Sequence, residues 1–116
     1  MRDPEKLTTF KLARDLVPAI YKATADFPSS ERFGLQSQIR RAAVSVPTNI
    51  VEGCARRSQP DYLRFLDIAY GSIAEVCFLL DLATTLEMLS VEQRNLLLPR
   101  AEEVKRALNG LIHSLS

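Results

Sequence analysis

Apolar residues recur along this chain at steps of three and four, the spacing that lines one face of an α-helix. From Thr9 to Asp26, Phe10, Ala13, Val17, Ile20, Tyr21 and Thr24 form such a face, with Lys11, Asp15, Lys22 and Asp26 opposite. Pro18 falls inside this first helix and is expected to bend it, because it lacks a backbone donor and crowds the preceding turn. Phe27-Pro28-Ser29-Ser30 ends it, since a residue before proline avoids the α region. Ser29 or Ser30 is expected to cap a second helix, with Glu31 in its first turn. Leu35, Ile39, Ala42, Ala43, Val46, Ile50 and Cys54 carry that helix to about residue 55, with Pro47 as a second internal kink.

Ser58-Gln59-Pro60-Asp61 restarts the pattern with a serine cap, a proline in the first turn and an acid three residues after the cap. The third helix presents Tyr62, Leu66, Ala69, Tyr70, Ile73, Cys77, Leu80 and Thr84 on one side. Ser90-Val91-Glu92-Gln93 is a capping box for the fourth, where Leu97, Ala101, Val104, Leu108, Leu111 and Leu115 alternate strictly by four and three. Gly110 is the weak point expected there. No segment sustains the alternation of a strand. The chain is therefore expected to be all-α, an up-down-up-down antiparallel four-helix bundle, with residues 1–116 as a single domain.

The third helix carries a second apolar strip, Phe65, Ile68, Ser72, Val76, Leu79 and Ala83, and the second carries Val44, Val51 and Ala55 away from its core face. A helix that is apolar nearly all round is either the buried centre of a bundle or faces another chain. This strip, with Ile68 and Leu79, predicts self-association. Glu75 lies on the far side of the third helix and Glu52 on a flank of the second; both are expected to be paired structural acids.

Composition adds limits. The 116 residues are 47% hydrophobic and 25% charged, ordinary for one globular unit. Fifteen basic and fourteen acidic side chains leave a net charge of +1, so no global field advertises nucleic acid or membrane. Locally the balance differs. Between positions 32 and 64 six arginines face two acids, a local excess of +4, and from 65 to 103 two arginines face seven acids, a local −5. Two cysteines cannot build a disulfide framework, and the opening MRDPEKLTTFK has no apolar run. A cytoplasmic location with no membrane span is expected.

The inventory of reactive groups is short. His113 is the single histidine, so the Glu-x-x-His pairs of a di-iron bundle, a multi-histidine zinc site and a Ser-His-Asp triad all lack a basis. Cys54 and Cys77 read as small core hydrophobes. No glycine-rich loop offers a phosphate cradle. No catalytic residue, metal or cofactor is expected, and the chain reads as non-enzymatic. Arg40, Arg41, Arg56 and Arg57 remain as candidate contacts to RNA or DNA phosphates. No aromatic residues interleave with them, so base stacking is not expected.

The stretches Phe27-Pro28-Ser29-Ser30-Glu31-Arg32-Phe33-Gly34-Leu35 and Gln38-Ile39-Arg40-Arg41-Ala42-Ala43-Val44-Ser45-Val46-Pro47-Thr48-Asn49-Ile50-Val51-Glu52-Gly53 resemble the "four helix bundle protein" family. Its members are often encoded in intervening sequences of bacterial large-subunit ribosomal RNA genes, and some carry a ribosomal-protein label. The match runs on through Arg57-Ser58, Phe65-Leu66, Ile68-Ala69-Tyr70-Gly71-Ser72 and Glu75, over about residues 7 to 88. A related group, the accessory variability protein of diversity-generating retroelements, looks like the same bundle assembled as a basic pentamer that engages a reverse transcriptase and nucleic acid. The resemblance implies a homopentamer and marks Arg40, Arg41, Asn49, Glu52, Gly53, Gly71, Ser72 and Glu75 as matched positions. It implies no particular biochemical activity. Thr9-Phe10-Lys11 stands where members commonly show a tryptophan, and Cys54-Ala55-Arg56 replaces an aromatic-Gly-Arg. Two readings stay open: an oligomeric accessory factor that binds RNA, DNA or a protein partner, and a purely self-assembling scaffold.

Overall fold

A computed structural model describes residues 2–116. Its four helices are α1 (Thr8–Thr24), α2 (Leu35–Cys54), α3 (Gln59–Thr85) and α4 (Val91–Leu115). Each helix packs against its neighbour in sequence and α1 closes the square against α4, so α1 and α3 stand on one diagonal and α2 and α4 on the other. The architecture is the up-down-up-down four-helix bundle. Ile20, Ile39, Val46, Ile50, Leu66, Ile73, Leu80 and Leu108 are among the residues of the common core, each at most 1% exposed.

The helix starts follow their caps where the cap is a side chain. Ser58 Oγ accepts from Asp61 N at 3.2 Å, and Ser90 with Gln93 forms the reciprocal capping box. The start of α2 differs from expectation. Ser29–Glu31 is a separate 3-10 turn, and α2 begins only at Leu35 with Gly34 as its N-cap. The Glu31 carboxyl folds over Gly34, and a Cβ there would lie 3.0 Å from Glu31 Oε1. Glycine thus lets the turn tighten before the helix starts. Pro18 and Pro47 both sit inside continuous helices, and α4 holds a third internal proline, Pro99. Gly110 is therefore not the sole weak point of α4; Pro99 is exposed, so the carbonyl it leaves unpaired can be hydrated. The α3–α4 turn passes through Glu87 at φ 61, a left-handed residue just past the helix end, closed by Met88 N donating to Ala83 O at 2.9 Å.

The second strip of α3 corrects one expectation. Phe65, Val76, Leu79 and Ala83 are buried within the bundle, at 8%, 0%, 1% and 0% exposure. The reason is geometric: α3 packs against α2 on one flank and α4 on the other, so its buried arc is wide enough to absorb both strips. Leu79 is a core residue of the single chain. What remains outside is Ile68 at 44% and, beyond the strip, Phe78 at 63%, while Val44 and Val51 on α2 stay open at 38% and 42%.

Candidate interaction surfaces

The four expected phosphate-binding arginines do not converge. Arg40 turns toward α1, where Nε donates to Thr24 Oγ1 at 2.8 Å and Nη2 to Tyr21 O at 3.0 Å, with the guanidinium 4.5 Å from the centre of the Tyr21 ring. Gln36 Nε2 adds a bond to Thr24 O at 2.9 Å. Arg40 thus fastens the C-terminal turn of α1, and it is half-buried rather than free in solvent. The helical step of 100° turns Arg41 out of that contact and onto the outward side of α2. There it is exposed, and it lines a cavity of about 490 Å³ with Phe33, Ser37, Gln38, Ser45, Ser72 and Glu75.

Arg56 and Arg57 follow the end of α2, about 22 Å along the helix direction from Arg41 at 1.5 Å per residue. Arg56 lies over the Phe65 ring at 4.6 Å and Arg64 over the same ring at 4.8 Å. Arg64 also approaches Asp61 at 3.8 Å. Arg2 joins them: its backbone N donates to Cys54 O at 3.0 Å, and its guanidinium sits 3.9 Å from the centre of the Tyr62 ring. The α2–α3 turn is therefore an arginine-rich end, built on two buried aromatic rings against which three guanidinium groups rest. Among the described residues the ion pairs are Arg14–Glu5, Arg14–Asp15, Arg64–Asp61 and Arg94–Asp81, so Arg41, Arg56 and Arg57 are in none of them. Sequence reasoning missed Arg2, because its place at this end depends on the N-terminal segment folding back onto α2.

The matched polar positions gather along the α2–α3 junction. Asn49 Nδ2 donates to Ser45 O at 2.8 Å and to Ser45 Oγ at 2.9 Å, and Ser45 and Ser72 hydroxyls are 2.8 Å apart. Glu75 Oε2 accepts from Gln38 Nε2 at 3.4 Å. Glu75 and Glu52 are exposed, and neither is in one of those ion pairs. Arg41, exposed and in none of those ion pairs, lines one cavity with Glu75 and another with Glu52, so a salt-bridge partner for either acid would come from a neighbouring chain, as the sequence expectation has it. Gly71 faces open space, with nothing within 4 Å of an added Cβ, whereas Gly53 is required by the α2–α3 approach, where a Cβ would lie 3.0 Å from Phe65 Cβ.

Burial governs the thiols. Loss of solvation pushes the Cys54 thiol up, and Cys77 likewise, which disfavours the thiolate a nucleophile needs. Burial also pushes the Tyr62 phenol up to about 12. His113 is exposed on the last turns of α4. Among the described residues no three His, Cys, Asp or Glu side chains come together in a way that could hold a metal ion. Among the described residues no helix is long and apolar enough to cross a membrane.

Fold and surfaces define an all-helical bundle with a polar junction along one outer side and an arginine-rich end. The chain belongs to the 23S rRNA-intervening sequence protein family, whose model matches residues 5–110. Among solved structures, it is similar to a protein of unknown function from the S23 ribosomal protein family of Bacteroides thetaiotaomicron VPI-5482. The two are 23% identical with a TM-score of 0.81, over 90% of this chain and 98% of that one, a likeness of fold. No curated protein matches the sequence.

Proposed function

We propose that this protein is a non-enzymatic, cytoplasmic accessory factor that self-associates and engages the phosphate backbone of RNA or DNA through the arginines of its α2–α3 turn. The observation that carries this reading is the gathering of Arg2, Arg56, Arg57 and Arg64 at one end, with Arg56 and Arg57 in none of the ion pairs. Such contacts read charge and spacing, not base identity. One subunit offers few of them, and a closed oligomer multiplies them, which offsets a net charge of only +1. The family resemblance supports five subunits. The outer face of α3 supplies the material for the ring contacts: Ile68 and Phe78 are exposed apolar groups, and Gly71 leaves room for a close approach.

The exposed acids favour a second reading, a self-assembling scaffold without nucleic acid, in which Glu52 and Glu75 pair with arginines of neighbouring chains. Binding of RNA and of DNA at two salt concentrations separates the two. The accessory reading expects binding at low salt that weakens with salt. The log–log slope should fall by about 0.9 on duplex DNA, or about 0.7 on a single strand, for each contact removed by Arg56→Ala and Arg57→Ala. Wild type that stays unbound at low salt leaves the scaffold.

A further inference from the structure

We propose that two copies of the chain dock through α2, laid antiparallel about a two-fold axis, with Arg41 of each opposite Glu52 of the other. The proposal rests on the self-association reading and names one of its contacts. The outward side of α2 carries Ser37, Arg41, Val44, Thr48, Val51 and Ala55, which follow one another at steps of four and three. That is the spacing of a helix–helix seam, and here it is turned away from the Leu35–Cys54 core face. None of the six is buried in the bundle, and Val44 and Val51 are 38% and 42% exposed. Arg41 and Glu52 are both exposed, both outside the ion pairs of the chain, and about 16 Å apart along the helix at 1.5 Å per residue.

These charges choose the orientation. A parallel, in-register pair would set Arg41 beside the partner's Arg41 and Glu52 beside the partner's Glu52, two like-charge contacts. Antiparallel, with the axis level with residue 46, Val44 layers on the partner's Thr48 and Arg41 on the partner's Val51. Glu52, one residue beyond Val51, then faces the partner's Arg41. Every contact occurs twice, as an isologous interface requires. Concavities flank the seam: one of about 490 Å³ runs past Arg41 to Glu75, and one of about 360 Å³ lies between Phe10, Arg14, Thr48 and Val51. They give side chains of the second helix places to seat. A single helix pair is a small interface, so this contact gains strength when several act together between closed assemblies. It is distinct from the head-to-tail contacts of a ring, which join two different surfaces.

The test mixes two variants, Val44→Cys and Thr48→Cys, each in a Cys77→Ser background, under mild oxidation. The other native thiol, Cys54, is only 1% exposed. In the proposed register residues 44 and 48 of different chains meet, whereas 44 with 44 and 48 with 48 are offset by about 6 Å along the axis. The mixture should therefore give several-fold more cross-linked dimer than either variant alone. In parallel, Arg41→Glu should lower the particle mass seen by light scattering, and Arg41→Glu with Glu52→Arg should restore it, both with unchanged helical circular dichroism. No preference for the mixed pair, or a charge-swapped variant no larger than the single one, overturns the proposal; an α2 face occupied by nucleic acid or another protein's helix gives this result. A wild-type mass fixed at 13.0 kDa instead overturns the self-association reading itself.

Discussion

Arg40 Nε donates to Thr24 Oγ1 at 2.8 Å, so a side chain near the start of α2 fastens the end of α1. The same guanidinium reaches Tyr21 O at 3.0 Å, an end carbonyl that has lost its helical partner. Arg40 therefore belongs to the fold, while its neighbour Arg41 belongs to the surface.

Arg40→Ala should lower the stability of the folded chain by about 1–2 kcal/mol, the scale of lost hydrogen bonds from a charged donor that is half in solvent. Arg41→Ala should change it by less than about 0.5 kcal/mol. Urea unfolding followed by circular dichroism checks both; equal effects would show that Arg40 is not a clamp.

The two helical glycines of the α2–α3 layer should respond in opposite directions. Gly53→Ala forces a methyl against Phe65 and Tyr62 and should cost about 1–3 kcal/mol. Gly71→Ala meets nothing within the chain and should stabilise α3 by about 0.5–1 kcal/mol. In the assembly it should also reduce particle mass, because the added methyl blocks the approach of a neighbour. Melting temperature and light scattering on the same samples read both effects.

Glu87 occupies the left-handed region at φ 61, where a side chain is strained and glycine is not. Glu87→Gly should stabilise the chain by about 1 kcal/mol, and Glu87→Val should destabilise it. Thermal melts of the pair check the sign.

Tyr62 supplies a pH limit. Its phenol is raised by burial to about 12, above the ordinary value of 10.0. A group raised in the folded state contributes stability that is complete below its unfolded pKa and is lost as pH climbs through the folded one. Stability should therefore hold up to about pH 10 and fall from there to about pH 12, and Tyr62→Phe should remove that part of the alkaline loss. Unfolding midpoints between pH 9 and pH 12 for both proteins decide it.

Much of the fold was legible because the caps and the core spacing agree. Ser58 and Ser90 stand where their helices begin, and Leu97 through Leu108 are buried at the expected steps. The start of α2 was not legible, since three residues of 3-10 turn and a glycine cap leave no serine signal at Gly34. The α3–α4 turn hid for a similar reason: Glu87 does the work of a glycine without being one. The surfaces were legible only in part. Periodicity separates Arg41 from the core but does not say that Arg40 finds Thr24, or that Arg2 returns to Tyr62, because both depend on which helices become neighbours. Leu79 looked outward on a lone wheel, and packing against two neighbouring helices turned it inward.

Native mass spectrometry of the intact protein, with and without a single-stranded RNA, tests the central claim most directly. The account predicts particles at multiples of 13.0 kDa, five-fold in the closed form, that gain the mass of RNA at low salt and lose it when Arg56 and Arg57 are both alanine. A single species at 13.0 kDa that takes up no RNA would contradict it.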